Sequence, residues 1–170
     1  DLSTLKCRAE RHSDGTYRIS GTKIYISYGE HDFTENIIHL VLARLPDAPE
    51  GTRGISLFLM PKYLVNDDGT LGARNDVVCT GIEHKLGIIA SPTCTMTFGE
   101  AGGAVGYLVG DENRGLAKMF VMMNAARLAV GMQGVALAER ALQRAVAFAK
   151  ERRQGRAPNA ASAGMSSIIA

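Results

Sequence analysis

The sequence has few of the features that mark several common classes of protein. Its net charge is only +2, and its Lys and Arg residues are scattered until Arg152 and Arg153, so no nucleic-acid-binding surface is expected. Its three cysteines are far apart and form no CxxC pair, which indicates neither a disulfide framework nor a zinc site. No apolar run approaches about 18 residues and no signal-peptide pattern opens the chain, so no membrane span is expected. Free thiols suit a reducing cytosol, and a cytoplasmic location is expected.

What the sequence does contain is the composition of an ordinary globular protein. The 170 residues are 46% hydrophobic and 21% charged. This length has room for one domain or for two small ones. We expect two, residues 1–108 and residues 109–170, because the composition changes near Asp111.

Residues 1–108 are expected to form an antiparallel β domain. Short segments rich in Val, Ile, Thr and aromatic residues alternate with turn clusters. Strands of this length and spacing predict a barrel or a sandwich. The segment 15–27 is expected to be a hairpin. The expected strands are 4–9, 17–20, 23–27, 37–43, 55–60, 77–79 and 94–98.

Residues 109–170 are expected to begin a helical domain. From Leu116 to about Arg152 there is no Pro, and Ala, Leu, Met and Glu dominate, which predicts one helix of about 35 residues. Its apolar residues cover most of the circumference up to Glu139, so burial on several sides is expected. The partners of such a helix would come from chain outside this sequence or from other subunits. We therefore expect an internal fragment of an α+β protein that carries an incomplete helical bundle.

The segment Tyr25-Ile26-Ser27 is the first candidate binding site. In a strand, Tyr25 and Ser27 lie two residues apart and share a face, where a ring and a hydroxyl can meet a planar ligand together. The alternative is structural, with Tyr25 a core aromatic residue and Ser27 an edge hydroxyl.

Two further candidates are charged residues of the long helix. Arg127 lies in an apolar stretch, where a charged group needs an ion-pair partner or a bound anion. Arg152 and Gln154 lie at the end of the helix, where cations also stabilise the helix dipole without any ligand.

Three other motifs are weaker evidence for a functional site. Residues 102–106 are glycine-rich, but a strand is expected after them, which argues against a dinucleotide-binding loop. Glu30-His31-Asp32 is better explained as a polar turn than as a metal site, because no second ligand pair stands at suitable spacing. No Gly-x-Ser-x-Gly occurs, so a hydrolase nucleophile elbow is absent from the sequence.

These segments, taken in order, resemble the acyl-CoA dehydrogenase family. Gly21 to Ser27 is similar to the family's Gly-x-Lys-x-Trp-Ile-Thr strand, with Tyr for Trp and Ser for Thr. The segment Ala125 to Ala129 is similar to the part of the family's long helix that carries an Arg. Residues 29–37 and 83–87 resemble the longer bacterial members. Each motif is weak alone, but their collinear order spans essentially the whole chain.

The resemblance implies roles for the candidate residues. Tyr25, Ile26 and Ser27 would contact the isoalloxazine of FAD, with the Ser27 hydroxyl near N5. Arg127 would lie near bound CoA, and Arg152 and Gln154 would reach the FAD pyrophosphate of a neighbouring subunit. One subgroup of the family has a glutamate base just before the helical Arg, where this chain has Ala126. No catalytic residue is therefore assigned here, and the base is expected in a C-terminal part outside this sequence.

The reaction implied by the resemblance is α,β-dehydrogenation of an acyl-CoA thioester, with hydride transfer to flavin N5. An electron-transfer flavoprotein would be the electron acceptor, and a homodimer or homotetramer the family's usual assembly. Acyl-CoA oxidases and some flavin monooxygenases share the architecture and remain alternatives. A third alternative is a non-catalytic assembly module. The acyl chain length is not encoded in any motif recognised here.

Overall fold

The structure, a computed structural model, describes residues 2–153. The chain divides into two compact units, Asp1–Val121 and Met122–Ala170. The domain boundary expected after residue 108 stays a prediction.

A closed β barrel forms the first unit. Five strands follow one another in the order β1-β3-β4-β9-β2, and β1 also pairs with β2, which closes the barrel. Strands β8 and β7 continue the sheet beyond β2, and β5 and β6 form a separate hairpin. The strands are β1 Arg8–Arg11, β2 Tyr17–Ser27, β3 Ile38–Arg44, β4 Ile55–Pro61, β5 Tyr63–Val65, β6 Leu71–Arg74, β7 Val77–Ile82, β8 Thr93–Phe98 and β9 Ala104–Leu108.

The barrel interior is filled by alternate residues of its strands, as the period of two requires. Ile19 of β2 and Phe58 of β4 are fully buried there, and Tyr17 packs on Phe58 with ring centroids 5.0 Å apart. This fold, a closed barrel with extra strands followed by one long helix, confirms the expected α+β class. The buried core residues are Cys7, Ala9, Ile19, Val41, Ala43, Leu45, Phe58, Met60, Val77, Cys94, Met96, Phe98 and Ala104.

The hairpin expected at residues 15–27 is wrong, because residues 17–27 form the single strand β2. The N-terminal half of β2 pairs with β1 and β9, and its C-terminal half pairs with β8. Gly21 lies where the two halves meet, with φ of +131°. An added Cβ there would lie 2.8 Å from Cys7 Sγ. Gly21 therefore lets one strand bend between two sheets rather than turn back on itself.

One other expectation needs correction, and one pair of strands was not expected. The strand expected at residues 4–9 begins later in the chain, because a 3₁₀-helix, Leu2–Thr4, comes first and β1 starts only at Arg8. The short strands β5 and β6, which flank the turn cluster at residues 66–69, had no strong sequence signal. Both errors concern short segments in which few residues pair.

The outer face of β3 and β4 is also apolar, which explains why the sequence of β3 is almost continuously hydrophobic. Leu42, Ile55 and Leu57 are buried there beneath Leu116 and Met119. Leu116 and Met119 lie in the first two turns of the helix α1, Gly115–Glu151. An added Cβ at Gly115 would lie 2.5 Å from the backbone nitrogen of Leu57. The start of α1 therefore approaches the sheet too closely for any side chain at this position.

A network of charges also holds the loop before α1 to the barrel. Arg11 makes two hydrogen bonds to Glu112, of 2.8 and 2.6 Å, and two to Asp47, each of 3.2 Å. The Tyr17 hydroxyl donates to Glu112 at 2.9 Å. The Arg11 guanidinium holds the pKa of Glu112 below its usual range. The charges anchor the chain where the strands give way to the helix.

The part of α1 in the second unit, from Met122 onward, exposes its apolar side chains. Leu128, Val135 and Leu137 are each 62% to 72% exposed. The burial expected from the sequence is therefore not provided by the described residues. By length and composition alone, α1 is also long and apolar enough to cross a membrane, and the expectation of no membrane span stays a prediction. Core helices of soluble proteins meet the same two conditions.

We predict that Gly21→Ala destabilises the first unit by about 2–4 kcal/mol, because it adds a strained positive φ to a clash with Cys7. Gly81→Ala is the matched control, since a Cβ there would meet Thr95 Cβ at an ordinary 3.8 Å. Urea unfolding of both variants measures the difference. Equal midpoints for the two variants would contradict the role given to Gly21.

We predict that His39 makes the fold less stable in mild acid. Its ring packs edge-on against Phe98 at 6.2 Å, and its buried Nε2 has no hydrogen-bond partner among residues 2–153. Burial lowers the pKa of His39 below its ordinary value. Its contribution is therefore complete above the unfolded pKa of about 6.5 and is lost as the pH falls through the lower folded pKa.

The measurement is the urea midpoint at pH 7.5 and at pH 5, compared with that of His39→Leu. The wild-type chain should lose more stability than the variant over this range. An identical loss in both proteins would show that His39 is not responsible.

Candidate functional site

The candidate site lies on β2 at an irregularity of the sheet. Lys23 pairs with Met96 of β8, but the next paired residue of β2 is Ile26, which faces Cys94. Three steps along β2 therefore match two steps along β8, which is a β-bulge. Tyr25 lies in the bulge with φ of +60°. A bulky residue rarely adopts this left-handed conformation, and such strain is commonly found at functional sites.

The three predicted contact residues differ in how they face solvent. Tyr25 is 67% exposed and Ser27 is exposed, whereas Ile26 packs against the barrel core. Ile26 therefore holds the segment down while its two neighbours face outward. Both Tyr25 and Ser27 are therefore at the surface, and Tyr25 is not a core residue.

The chain turns sharply after Ser27. The Tyr28 backbone N–H donates to the Pro92 carbonyl at 2.8 Å, and the Gly29 N–H donates to the Ile26 carbonyl at 3.3 Å. Tyr28 has φ of +53°. The first of these bonds ties the end of β2 to the loop that precedes β8, and the second closes the turn.

A group of aromatic rings follows the turn, which sequence reasoning did not single out. The Tyr28 ring is 5.9 Å from that of His31 and 6.2 Å from that of Phe33. The spacing Tyr-x-x-His-x-Phe was the available signal, but the predicted polar turn included His31 and neither Tyr28 nor Phe33. Glu30 forms an ion pair with Lys62 and lies 3.7 Å from Arg74.

The loop at residues 83–92 brings a third strained residue to this end of the sheet. Ile88 has φ of +52° and is 81% exposed. Among residues 2–153, the non-glycine residues with positive φ are Tyr25, Tyr28, Ile88 and Asn113. Three of these four therefore lie around the junction of β2 with the loop before β8. The strained backbone conformations are therefore concentrated near the predicted binding segment, Tyr25-Ile26-Ser27.

The candidate arginines Arg127 and Arg152 belong to the second unit. Arg127 is exposed on α1. Arg152 lies just after the end of α1, with its guanidinium 5.7 Å from the Phe148 ring. Gln154 lies outside the described residues. The roles predicted for these three residues stay predictions.

Other candidate groups in the described chain are structural. The glycine-rich segment 102–106 overlaps β9, which begins at Ala104, so the strand expected after the segment starts within it. Within residues 2–153, no group of three or more His, Cys, Asp or Glu side chains is placed to hold a metal ion. Cys7 and Cys94 are buried free thiols, and burial raises the pKa of Cys79.

We predict that Tyr25→Gly stabilises the first unit by about 1 kcal/mol, because Gly relieves the left-handed strain and the lost ring is mostly exposed. Ile24→Gly is the control, because Ile24 precedes Tyr25, is 55% exposed and has no positive φ. Glycine at this second position should destabilise the strand by about 0.5–1 kcal/mol. Chemical unfolding tests the signs, and destabilisation by Tyr25→Gly would contradict the assigned strain.

Comparison with known proteins shows which proteins this chain is similar to. No model of a known protein family matches the chain. The chain is 58% identical over 156 residues to 3-methylmercaptopropionyl-CoA dehydrogenase of Ruegeria pomeroyi, an alignment that covers 92% of this chain and 26% of that protein. It is 51% identical over 122 residues to a butyryl-CoA dehydrogenase of Syntrophomonas wolfei, covering 69% of this chain and 20% of the relative.

A solved structure agrees with these relatives. The butyryl-CoA dehydrogenase of Megasphaera elsdenii matches with a TM-score of 0.67 and 29% identity, over 93% of this chain and 37% of that one. The chain thus spans about a quarter of the first of these curated relatives and a fifth of the second. Its barrel and long helix match the middle β domain and the start of the helical domain. The chain therefore belongs to the acyl-CoA dehydrogenase family.

Proposed function

We propose that this chain is the flavin-supporting segment of a longer FAD-dependent acyl-CoA dehydrogenase. The observation that carries the proposal is the strained, outward-facing Tyr25-Ile26-Ser27 bulge. By the resemblance, it corresponds to the family's Gly-x-Lys-x-Trp-Ile-Thr strand, which would contact the flavin. The names of the relatives, both acyl-CoA dehydrogenases, support the reaction class.

The chemistry of the bulge fits a flavin. Tyr25 offers a largely exposed ring for stacking on a planar heterocycle, and Ser27 offers a hydroxyl two residues away. Neither side chain is needed by the core, because Ile26 fills that role. The pair is therefore available to a ligand at little cost to the fold.

The bound FAD would accept the hydride that leaves the β-carbon of the thioester. Ser27 would orient the ring system by a hydrogen bond, and Tyr25 would limit its tilt by contact. Holding a cofactor in one orientation against its substrate is an entropic contribution to catalysis. With Ala126 where one subgroup has a glutamate, the base that removes the α-proton would lie elsewhere in the longer protein.

The charged residues complete the proposal. Arg127 would bind near CoA, and Arg152 with Gln154 would reach the pyrophosphate of FAD in a neighbouring subunit. Arginine suits both tasks, since its planar fork pairs with phosphate oxygens. The longer protein would act as a cytoplasmic homo-oligomer, a dimer or tetramer, and would pass electrons to an electron-transfer flavoprotein.

Two alternatives differ in testable ways. An acyl-CoA oxidase or flavin monooxygenase would let oxygen reoxidise the reduced flavin rapidly. An assembly module without catalysis would neither turn yellow nor respond to acyl-CoA. The exposed apolar surface of α1 is the observation that favours an assembly role for the segment by itself.

The test is an anaerobic titration of the full-length protein with acyl-CoAs of several chain lengths. We expect the absorbance near about 450 nm to bleach on addition of a thioester, and the dependence on length to rank the substrates. Bound FAD that fails to bleach would indicate another flavin reaction. A colourless protein would refute the enzyme proposal.

We predict that Ser27→Ala lowers kcat of the full-length protein about 10-fold, because one hydrogen bond to the flavin, of roughly 1–1.5 kcal/mol, is lost. Ser27→Thr should retain activity, since it keeps the hydroxyl. Ser20→Ala is the control, because Ser20 is exposed on the same strand before the bend. Stopped-flow reduction of the flavin measures the rate, and equal rates for Ser27→Ala and Ser20→Ala would rule out the proposed contact.

A further inference from the structure

A buried glycine, Gly29, lies in the turn that follows the candidate segment Tyr25-Ile26-Ser27. Gly29 is buried two residues after Ser27, whereas Ser27 itself is exposed. An added Cβ at Gly29 would lie 2.8 Å from Met96 Sδ, 2.9 Å from Met96 Cγ and 3.1 Å from Cys94 Cβ. The backbone at Gly29 therefore lies directly on two core residues of β8.

Those two residues cannot easily give way. Cys94 is 0% exposed and Met96 is 1% exposed, and both belong to the barrel core. Cys94 also pairs with Ile26 across the sheet. The same β8 side chains thus lie opposite the bulge and beneath the turn that follows it. A closely packed interior transmits a small displacement rather than absorbing it.

Ser27 lies between two fixed points as a result. On one side it pairs with Thr93 of β8, and on the other the turn closes by the Gly29 N–H bond to the Ile26 carbonyl. Because Met96 and Cys94 are enclosed in the core, a Cβ at Gly29 would displace the turn. The end of β2 carrying Ser27 would move with it, although the barrel would keep its strands.

We propose that Gly29 is a positioning residue for the Tyr25–Ser27 segment, and that it sets the orientation of the hydroxyl and the ring toward the flavin. The proposal rests on the proposed function, because it assumes that this segment contacts the cofactor. Gly29 touches no ligand itself and acts through the turn. Its effect should therefore fall on the cofactor's environment and the rate of reduction, not on binding of the thioester.

The test compares Gly29→Ala with wild type in the full-length protein. We expect a shifted visible flavin spectrum and a kcat about 10-fold lower, because small misplacements of reacting groups are costly in rate. The KM for the acyl-CoA should change less than about two-fold. The control is Gly87→Ala in the neighbouring loop, where an added Cβ has nothing within 4 Å. Wild-type spectrum and kcat in Gly29→Ala would overturn the proposal.

A double variant keeps the test decisive if Gly29→Ala proves insoluble. Adding Met96→Ala removes the two atoms closest to the new Cβ. We expect the double variant to be soluble and to have a flavin spectrum closer to that of wild type than the spectrum of Met96→Ala alone. A double variant no closer to wild type than Met96→Ala would contradict the coupling. Absence of flavin from the wild-type protein would overturn the function and this inference together, whereas a yellow, bleachable wild type isolates the role of Gly29.

Discussion

Strand β2 pairs with two different sets of strands along its length, and the arrangement of the candidate site depends on this constraint. Its first half closes the barrel with β1 and β9, and its second half pairs with β8. A regular strand cannot satisfy both sets of neighbours without a change of direction. Gly21 supplies the bend through its positive φ, and the bulge at Tyr25 adjusts the register beyond it.

The bulge separates the demands of folding from those of binding. Ile26 faces the core and holds the segment, so Tyr25 and Ser27 are free to face outward. The left-handed backbone at Tyr25 has a cost that the rest of the barrel must offset. Such an arrangement is understandable if the exposed ring has a task outside the core. The following turn is held on the core in the same way, because the backbone of Gly29 approaches Cys94 and Met96 too closely for a side chain.

Composition and pattern were sufficient for the overall class but not for the details of the site. The change from strand to helix signals near Asp111 predicted the α+β organisation, since α1 begins at Gly115. The bend at Gly21 looked like a turn, because a glycine between two apolar segments has the same sequence signature in either case. Burial on β3 was equally hard to anticipate. Here His39 faces inward while Leu40 is 43% exposed, and only the pairing with β4 fixes which face is inside. The strain at Tyr25 has no sequence signature, because it arises from register.

The measurement that tests the account most directly is a crystal structure of the full-length protein with its cofactor. The account predicts flavin density against the Tyr25 ring, with the Ser27 hydroxyl in hydrogen-bonding contact and the bulge retained. Flavin bound elsewhere, or a regular β2 with Tyr25 directed into the core, would contradict it.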